Sequence, residues 1–526
     1  MGEFVNPGND AFSVVSAGEY VDKTGLISLL NKRIGTNRNL VCVSRPRRFG
    51  KSYAAQMLSA YYDRSCDSSS LFGNMAVAED SLFRKHLNCY DVIYVDISAV
   101  KPYSDNYRDL IPFLSEKLTE ELTELYPGIK SNSTLPSVLV QAVTASETKI
   151  VMIIDEWDAP IRELRDDNRA QREYLEFLRS LFKNSSVTER VFAAVYMTGI
   201  LPIKKEKSQS ALSNFKEFTM VRPGEFAEYA GFTEQEVKTL CEKHRIDFAS
   251  MKRWYDGYEA FGAGSIYNPN SVICAIEDRD FDSYWTETSS AEDLMEFITE
   301  DYSGLNRTIA DLIGGNDVTV DVRGFSNDLT TFKGKNDVLT LLVHLGYLAY
   351  NREKKTVHIP NEEIRLEFNK SVREVDHEET KKRLRESEQL FLDTIRMNSP
   401  AVAAQIEKVH LEEFDPLHYN REDSLRCAIK LAYYTYRDHY LKFEELPSGA
   451  GCADIVYLPK QGVNCPVLLV ELKWNRSAEC AIAQIHDRNY PAVLAPYKGN
   501  ILLVGVNYSK DAPPGQRHHE CLIEKA

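Results

Sequence analysis

Two groups of residues in this chain have the types and spacing that phosphate chemistry needs. The first is Arg45-Pro46-Arg47-Arg48-Phe49-Gly50-Lys51-Ser52, which follows the apolar run Leu40-Val41-Cys42-Val43. A loop that grips phosphate must turn tightly, aim backbone amides at oxygen atoms and open a helix whose N-terminal dipole favours negative charge. Gly50-Lys51-Ser52 supplies those parts: Lys51 would reach the β- and γ-phosphates, and the Ser52 hydroxyl would complete a magnesium shell. Arg47, Arg48 and Phe49 complete the expected nucleotide loop, with Arg45, Arg47 and Arg48 either touching phosphates or lying on the surface. Arg45 stands where the G-x-x-x-x-G-K-[ST] pattern has its first glycine. Downstream, the run Ile150-Val151-Met152-Ile153-Ile154 ends in Asp155-Glu156-Trp157-Asp158. Asp155 at a strand end would join the magnesium shell, and Glu156 would polarise an attacking water, since phosphoryl transfer needs positioning more than covalent chemistry. Thr198, ending the next strand, would sense the γ-phosphate or hold that water. The cofactors implied are ATP and Mg2+.

The second group is Asp454 with Glu471-Leu472-Lys473. Phosphodiester hydrolysis needs carboxylates converging on Mg2+ and a group that orients the water. Glu471 and Lys473 are two apart in a strand and share a face, while the preceding hairpin strand brings Asp454 alongside. Asp454 and Glu471 would ligate the metal with the Leu472 carbonyl, Lys473 would hold the nucleophile or the scissile phosphate, and Glu445 is the best upstream carboxylate for a third acidic position. The competing reading is a solvated strand face, because charged alternation produces E-x-K freely.

These groups need elements to carry them. Up to Gly199, strand-like runs at 40–43, 92–97, 150–154 and 191–197 alternate with helical stretches at 53–62, 110–125 and around Tyr174 to Phe182. That is the rhythm of a three-layer parallel sheet, whose ligands sit at the C-terminal ends of the strands. The run at 92–97 lies between the two nucleotide motifs, as in ATPases that carry a catalytic glutamate beside the aspartate. From about Pro223 the pattern changes. Thr233-Glu234-Gln235-Glu236 is a capping box, and a helix at 338–345 followed by runs at 347–350 and 356–359 outlines a winged helix. Such a module binds DNA or serves as a lid on an ATPase, and the acidic neighbours Glu362, Glu363 and Glu367 favour the lid or packing role. A charged helix at 372–388 leads to helices at 390–397 and 424–440, strands at 453–458 and 467–473, a helix at 477–488 and a strand at 500–506.

With 63 Lys and Arg against 78 Asp and Glu, the net charge is -15, which argues against coating nucleic acid by bulk electrostatics, so any DNA contact must be local. Basic residues cluster at 45–51, 204–207 and 381–383. The ten cysteines are scattered without a C-x-x-C pair, which indicates neither zinc nor a disulfide framework and fits a reducing compartment. No apolar run reaches the roughly 18 residues of a membrane span, and Met1 to Phe12 has no signal-peptide pattern. The expected location is the cytoplasm, away from membranes.

On Tyr20-Val21-Asp22-Lys23-Thr24, the 45–52 loop, Asp155 to Asp158, Thr198-Gly199, Trp254-Tyr255-Asp256-Gly257-Tyr258, Tyr267-Asn268-Pro269 and the C-terminal set, the chain resembles a bacterial and archaeal family. That family joins an AAA-ATPase-like domain to a PD-(D/E)XK nuclease-superfamily domain. Arg-Pro-Arg-Arg-Phe-Gly-Lys-Ser is its own form of the phosphate loop. The resemblance implies that Gln484 joins Asp454, Glu471 and Lys473 at the nuclease centre. The chain departs from it at Pro447-Ser448-Gly449-Ala450-Gly451-Cys452, where relatives carry Glu-Ser-Gly and Gly-Arg. The expected fold class is α/β, in three parts: an AAA-like P-loop domain over 1–222, a helical and winged-helix-like region over 223–370, and a restriction-endonuclease-like α/β domain over 371–526. The expected activity is an ATPase coupled to a Mg2+-dependent DNA endonuclease, in foreign-DNA defence or mobile-element biology. Its alternatives are a nucleotide-operated switch, which binds a protein or DNA through a nuclease fold that does not cut, and an ATPase with no nucleic-acid role. A homo-oligomer or protein partner fits either of the first two.

Overall fold

Five apolar runs build one parallel sheet in the computed structural model. They are β1 (Leu40–Ser44), β2 (Asp91–Asp96), β3 (Ile150–Asp155), β4 (Phe192–Gly199) and β5 (Lys216–Phe218), side by side in the order β2-β3-β4-β1-β5 with every pairing parallel. The structure describes residues 2–100, 107–130, 132–165, 167–203, 205–206, 209–210, 212–260, 264–285, 305–325, 332, 334–374, 378–413, 425, 428–429, 432–433, 439–448, 451–460, 463, 465–487, 494, 500–510, 512 and 517–526. β1, β3 and β4 are buried along their whole length, as strands covered on both faces must be. Alternate residues serve two cores. Cys42, Met152 and Ile154 pack with the helices Leu110–Leu125, Leu135–Ser146 and Asn168–Phe182, while Val41, Val43, Val151 and Ile153 pack with Lys51–Tyr62. The result is three layers. Because β4 lies between β1 and β3, their C-terminal ends meet: Ser44 pairs with Gly199, Val43 with Thr198, and Ile154 with Met197.

The same compact unit, Met1–Phe297 with Thr319–Glu367, continues past the sheet. The Glu236 amide donates to Thr233 Oγ1 at 3.4 Å and the Thr233 amide to Glu236 Oε2 at 2.7 Å, the reciprocal capping box that opens Glu234–His244. β6 (Phe232–Thr233), β7 (Tyr258–Ala260) and β8 (Gly264–Tyr267) form a small antiparallel sheet with β8 in the middle. Asn268 caps the helix Pro269–Asp278 by accepting from the Asn270 amide at 3.0 Å, which explains Tyr267-Asn268-Pro269. The helix Lys335–Leu345 precedes a hairpin of β9 (Ala349–Asn351) and β10 (Thr356–His358). That helix is buried at every position from Val338 to His344, so it has no face left for a DNA groove and acts as a packing element.

A second unit comprises Ile298–Val318 and Phe368–Ala526. Its sheet runs β11 (Tyr440–Ser448), β12 (Gly451–Pro459), β13 (Val467–Trp474), β14 (Ile501–Tyr508) and β15 (His519–Lys525) in chain order, antiparallel except for β13 and β14. A parallel pair needs a crossover, and the helix Ala478–Asp487 supplies it. That helix covers the face carrying Val456, Val467, Leu469 and Leu503, whereas Leu390, Phe391, Val402 and Ile406, from the helices Glu378–Ile395 and Ser399–Glu413, cover Ile455, Leu468, Val470 and Val504. The edge strands β11 and β15 carry no alternation clear enough to read in sequence. Most of 424–440, the Glu445 side chain, Gly449 and Ala450, Lys204 and Lys207, and the side chains of Lys381 and Arg383 fall outside the described residues. No described helix is long and apolar enough to cross a membrane.

Candidate functional site

The phosphate loop turns where the sequence requires it. Gly50 has φ 80° at the start of Lys51–Tyr62, a left-handed conformation that costs other residues strain. Lys51 is buried, with Nζ 3.0 Å from the Pro46 carbonyl and 3.2 Å from Glu156 Oε1. Asp155 and Thr198 lie side by side at the ends of β3 and β4, and the Thr198 hydroxyl donates to Asp155 Oδ1 at 3.2 Å. Thr198 is fully buried. Asp155 Oδ2 is buried as well and has no hydrogen-bond partner, an arrangement that costs about 1–3 kcal/mol unless something else satisfies it. Burial pushes the Asp155 carboxyl up to about 6, against the pull of the Ser52 hydroxyl and the Lys51 charge.

Glu156 is held at both oxygens. Oε1 faces Lys51, and Oε2 accepts from an Arg162 terminal nitrogen at 2.6 Å. Burial works to raise its pKa, but Lys51 and Arg162 outweigh burial and keep the carboxyl below its usual range. Arg162 Nε sits 3.2 Å from Asp158 Oδ2. Asp158 in turn is fully buried and accepts from the amides of Ile200, at 3.2 Å, and Leu201, at 2.8 Å. Trp157 is also fully enclosed, with its amide on the Thr198 carbonyl at 2.9 Å and its carbonyl on the Tyr174 hydroxyl at 2.7 Å. Asp155-Glu156-Trp157-Asp158 thus combines two residues that face the nucleotide motif with two that lock β3 to the chain after β4.

The arginines divide. Arg45 is 2% exposed and donates to the carbonyls of Ser44, at 2.9 Å, and Phe218, at 3.2 Å; burial pulls its guanidinium down to about 10. It is neither a surface residue nor a phosphate ligand, because β5 closes over it. Arg48 donates to the Tyr284 carbonyl and also lines the cavity described below. Phe49 is buried edge-on against Tyr258 with ring centroids 5.3 Å apart, and its carbonyl accepts from the Gly231 amide at 3.1 Å. Arg47 remains at the cavity, where its charge helps to lower the Glu156 pKa.

That cavity has a volume of about 820 Å³, within the range that small-molecule sites occupy. Gly50, Lys51, Ser52, Arg47, Glu156 and Arg162 line its charged end, and Val15, Tyr20, Val21, Met57, Phe232 and Ile273 contribute an apolar wall. Sequence reasoning missed this wall and Arg162. Tyr20 and Val21 belong to a stretch picked out only by resemblance, and Arg162 carries no motif.

In the C-terminal unit, Asp454, Glu471 and Lys473 share the sheet face covered by Ala478–Asp487, the helix that carries the half-buried Gln484. Asp454 Oδ2 accepts from the Leu472 amide at 2.8 Å, and Glu471, 2% exposed, pairs with Lys473 Nζ at 2.9 Å. Among the described residues no three His, Cys, Asp or Glu side chains group as metal ligands. Among the described residues the cluster has two carboxylates, Asp454 and Glu471.

Residues 11–208 match the AAA-ATPase-like family model, described as a predicted AAA-ATPase. This segment of the chain is AAA-ATPase-like. It contains β1 to β4, the phosphate loop, Asp155 to Asp158 and Thr198. The "uncharacterized protein in vnfD 5′ region" of Azotobacter chroococcum mcd 1 is 26% identical over 304 residues, 56% of this chain and 55% of that protein. The chain therefore spans about half the length of that curated relative. Among solved structures, the Aeropyrum pernix ORC2 protein in ADPNP and ADP complexes overlaps 68% of this chain and 96% of its own, with 14% identity and a TM-score of 0.28. AMPPCP-bound DnaA from Aquifex aeolicus overlaps 63% and 80%, with 10% identity and a TM-score of 0.23. TM-scores this low establish neither activity nor partner. The family match ends at residue 208, so the C-terminal unit rests on its own geometry.

Proposed function

We propose that the chain binds ATP with Mg2+ and hydrolyses it at the cavity above Lys51. The observation that carries this is Asp155 Oδ2, a buried carboxylate oxygen without a partner, next to Ser52 and Lys51 at the mouth of a parallel sheet. A magnesium ion takes hard oxygen ligands, and Ser52 with Asp155 are the residues that would hold it. The ion would offset phosphate charge during transfer. Lys51 would leave Glu156 for the phosphates, Thr198 would keep Asp155 in place through its hydroxyl, and Glu156 would take the proton of the attacking water. The apolar wall from Val15 to Ile273 suits a purine base. The test is ATP turnover with Mg2+ by the full chain beside Lys51→Ala and Glu156→Gln. Loss of nucleotide binding in the first and loss of turnover with binding retained in the second support the reading; turnover unchanged in both overturns it.

A second reading concerns the C-terminal unit and is favoured by Asp454, Glu471 and Lys473 on one sheet face. In it Asp454 and Glu471 hold Mg2+, Lys473 holds the phosphate or nucleophile, and Gln484 orients the DNA or the water, so that ATP gates DNA cleavage. Plasmid cutting that depends on Glu471, and on ATP only when Lys51 is present, supports it. ATP turnover with no cutting favours instead a nucleotide-operated switch, consistent with an Asp454 carboxylate already engaged by the Leu472 amide.

A further inference from the structure

We propose that Arg162 is the positioning residue of the ATPase site, a link that keeps Glu156 aimed when Lys51 moves to the phosphates; this rests on the nucleotide reading above. The two oxygens of Glu156 have different partners, Lys51 Nζ at 3.2 Å on Oε1 and an Arg162 terminal nitrogen at 2.6 Å on Oε2. A triphosphate carries more negative charge than one carboxylate and competes with Glu156 for the Lys51 ammonium. When nucleotide enters, Oε1 is released to face the water while Oε2 keeps its hold.

That hold is anchored. Arg162 lies on the helix Ala159–Glu163, four residues after Asp158, with Nε 3.2 Å from Asp158 Oδ2. Asp158 is immobilised by the amides of Ile200 and Leu201 just beyond β4. The line from backbone to Asp158, to Arg162 and to Glu156 therefore runs from the same strand end that presents Thr198 to Asp155. A planar guanidinium can bridge two carboxylates in a fixed geometry, which a lysine ammonium does not reproduce. Glu156 itself sits on a left-handed backbone, φ 50°, which pays a conformational cost to bring its side chain to this point.

Arg162 also lines the cavity, so it has to be distinguished from a phosphate ligand. The experiment is steady-state ATP hydrolysis with Mg2+ by the full chain, beside Arg162→Gln, Arg162→Lys, Glu156→Gln and the double variant Arg162→Gln/Glu156→Gln, with nucleotide affinity read from a fluorescent ATP analogue. A misplaced catalytic group costs on the order of 100-fold, so Arg162→Gln is expected to lower kcat by roughly 10- to 100-fold while KM and affinity stay within about twofold. Arg162→Lys recovers only part of the loss. The double variant is no slower than Glu156→Gln alone, because Arg162 acts only through Glu156. An unchanged kcat, a raised KM with kcat retained, or additive losses in the double variant each overturn the proposal. If Arg162→Gln does not fold, Arg162→Lys replaces it in the same cycle, with a smaller fall in kcat and the same unchanged KM and absence of additivity expected. Absence of turnover in the wild type overturns the nucleotide reading itself, and this inference with it, whereas turnover that needs Glu156 but not Arg162 overturns this inference alone.

Discussion

A β-carbon on Gly199 would stand 2.4 Å from Asp158 Oδ1 and 2.8 Å from Trp157 Cδ1. The first atom belongs to the carboxylate that ties β3 to the residues after β4 and the second to the Trp157 indole, and neither side chain has room to retreat because both are fully buried. Gly199→Ala is therefore expected to destabilise the protein by at least about 1–3 kcal/mol, and to slow ATP turnover by disturbing Asp158 and thus Arg162. Urea denaturation followed by circular dichroism measures the first effect; an unchanged midpoint would mean that the turn has slack the packing does not suggest. Asp158, Trp157 and Gly199 were all visible as matching residues, but their purpose was not, because Asp158 meets its amide partners across 42 and 43 positions of sequence. The same holds for Arg45, whose charge suggests solvent until β5 is paired beside β1.

At the scale of elements, the phosphate loop is fastened to segments far downstream. Phe49 packs on Tyr258 from β7, the Tyr258 hydroxyl donates to the Gly346 carbonyl at 2.6 Å, and Arg48 holds the Tyr284 carbonyl. The Tyr284 amide donates to Glu363 Oε1 at 2.9 Å, and the Ser271 hydroxyl donates to the same oxygen at 2.8 Å. Glu363 is fully buried, and burial pushes its carboxyl from 4.5 up to about 8, with the Ser271 hydroxyl and the Tyr284 amide opposing the rise. A folded-state pKa above the unfolded one means that the folded form prefers the protonated acid. Its contribution is full below about pH 4.5 and is lost as pH rises towards 8. The melting temperature should then fall across that window, and Glu363→Gln should flatten the decline by an amount worth a few kcal/mol, on the order of 1.4 kcal/mol per pH unit. Thermal melts at several pH values decide this; an equal slope in both proteins would rule out Glu363 as its source. The capping box and the helix before β9 were legible because each depends on neighbours within a few positions. The fastening of the loop was not.

For the whole molecule, the compact units Met1–Phe297 with Thr319–Glu367 and Ile298–Val318 with Phe368–Ala526 should respond to different conditions. Nucleotide binds only one of them in the present reading, and a ligand at 100 times its Kd adds about 2.7 kcal/mol to the state it binds. Calorimetry with Mg2+ and ATP is therefore expected to raise one of two transitions and leave the other in place. Acid should act on the second. His519 is buried and bonds to His410 at 2.8 Å between ring nitrogens; burial, with His410 and His518 nearby, lowers its pKa from 6.5 to about 3. A histidine whose folded pKa is depressed lends stability above the unfolded value, so that stability drains away as pH falls below 6.5. The C-terminal transition should drop between pH 7 and 5, and His519→Gln should blunt the drop. A single transition that moves as one with both ATP and pH would show that the units unfold together.

The sequence by itself determined what depends on near neighbours: the strand at 150–154, the turn at Gly50 before a helix, the capping box at Thr233, and the two-residue spacing that puts Glu471 and Lys473 on one face. These follow from backbone geometry and side-chain period, which a short stretch carries within it. Only the tertiary structure decided which partner each charged side chain meets. Arg162 on Glu156, Arg48 on Tyr284, Arg45 under β5 and Asp454 on the Leu472 amide are choices among many possible partners. Electrostatic and hydrogen-bond energies act over a few ångströms of space whatever the distance along the chain, and it was the pairing of strands that set those distances.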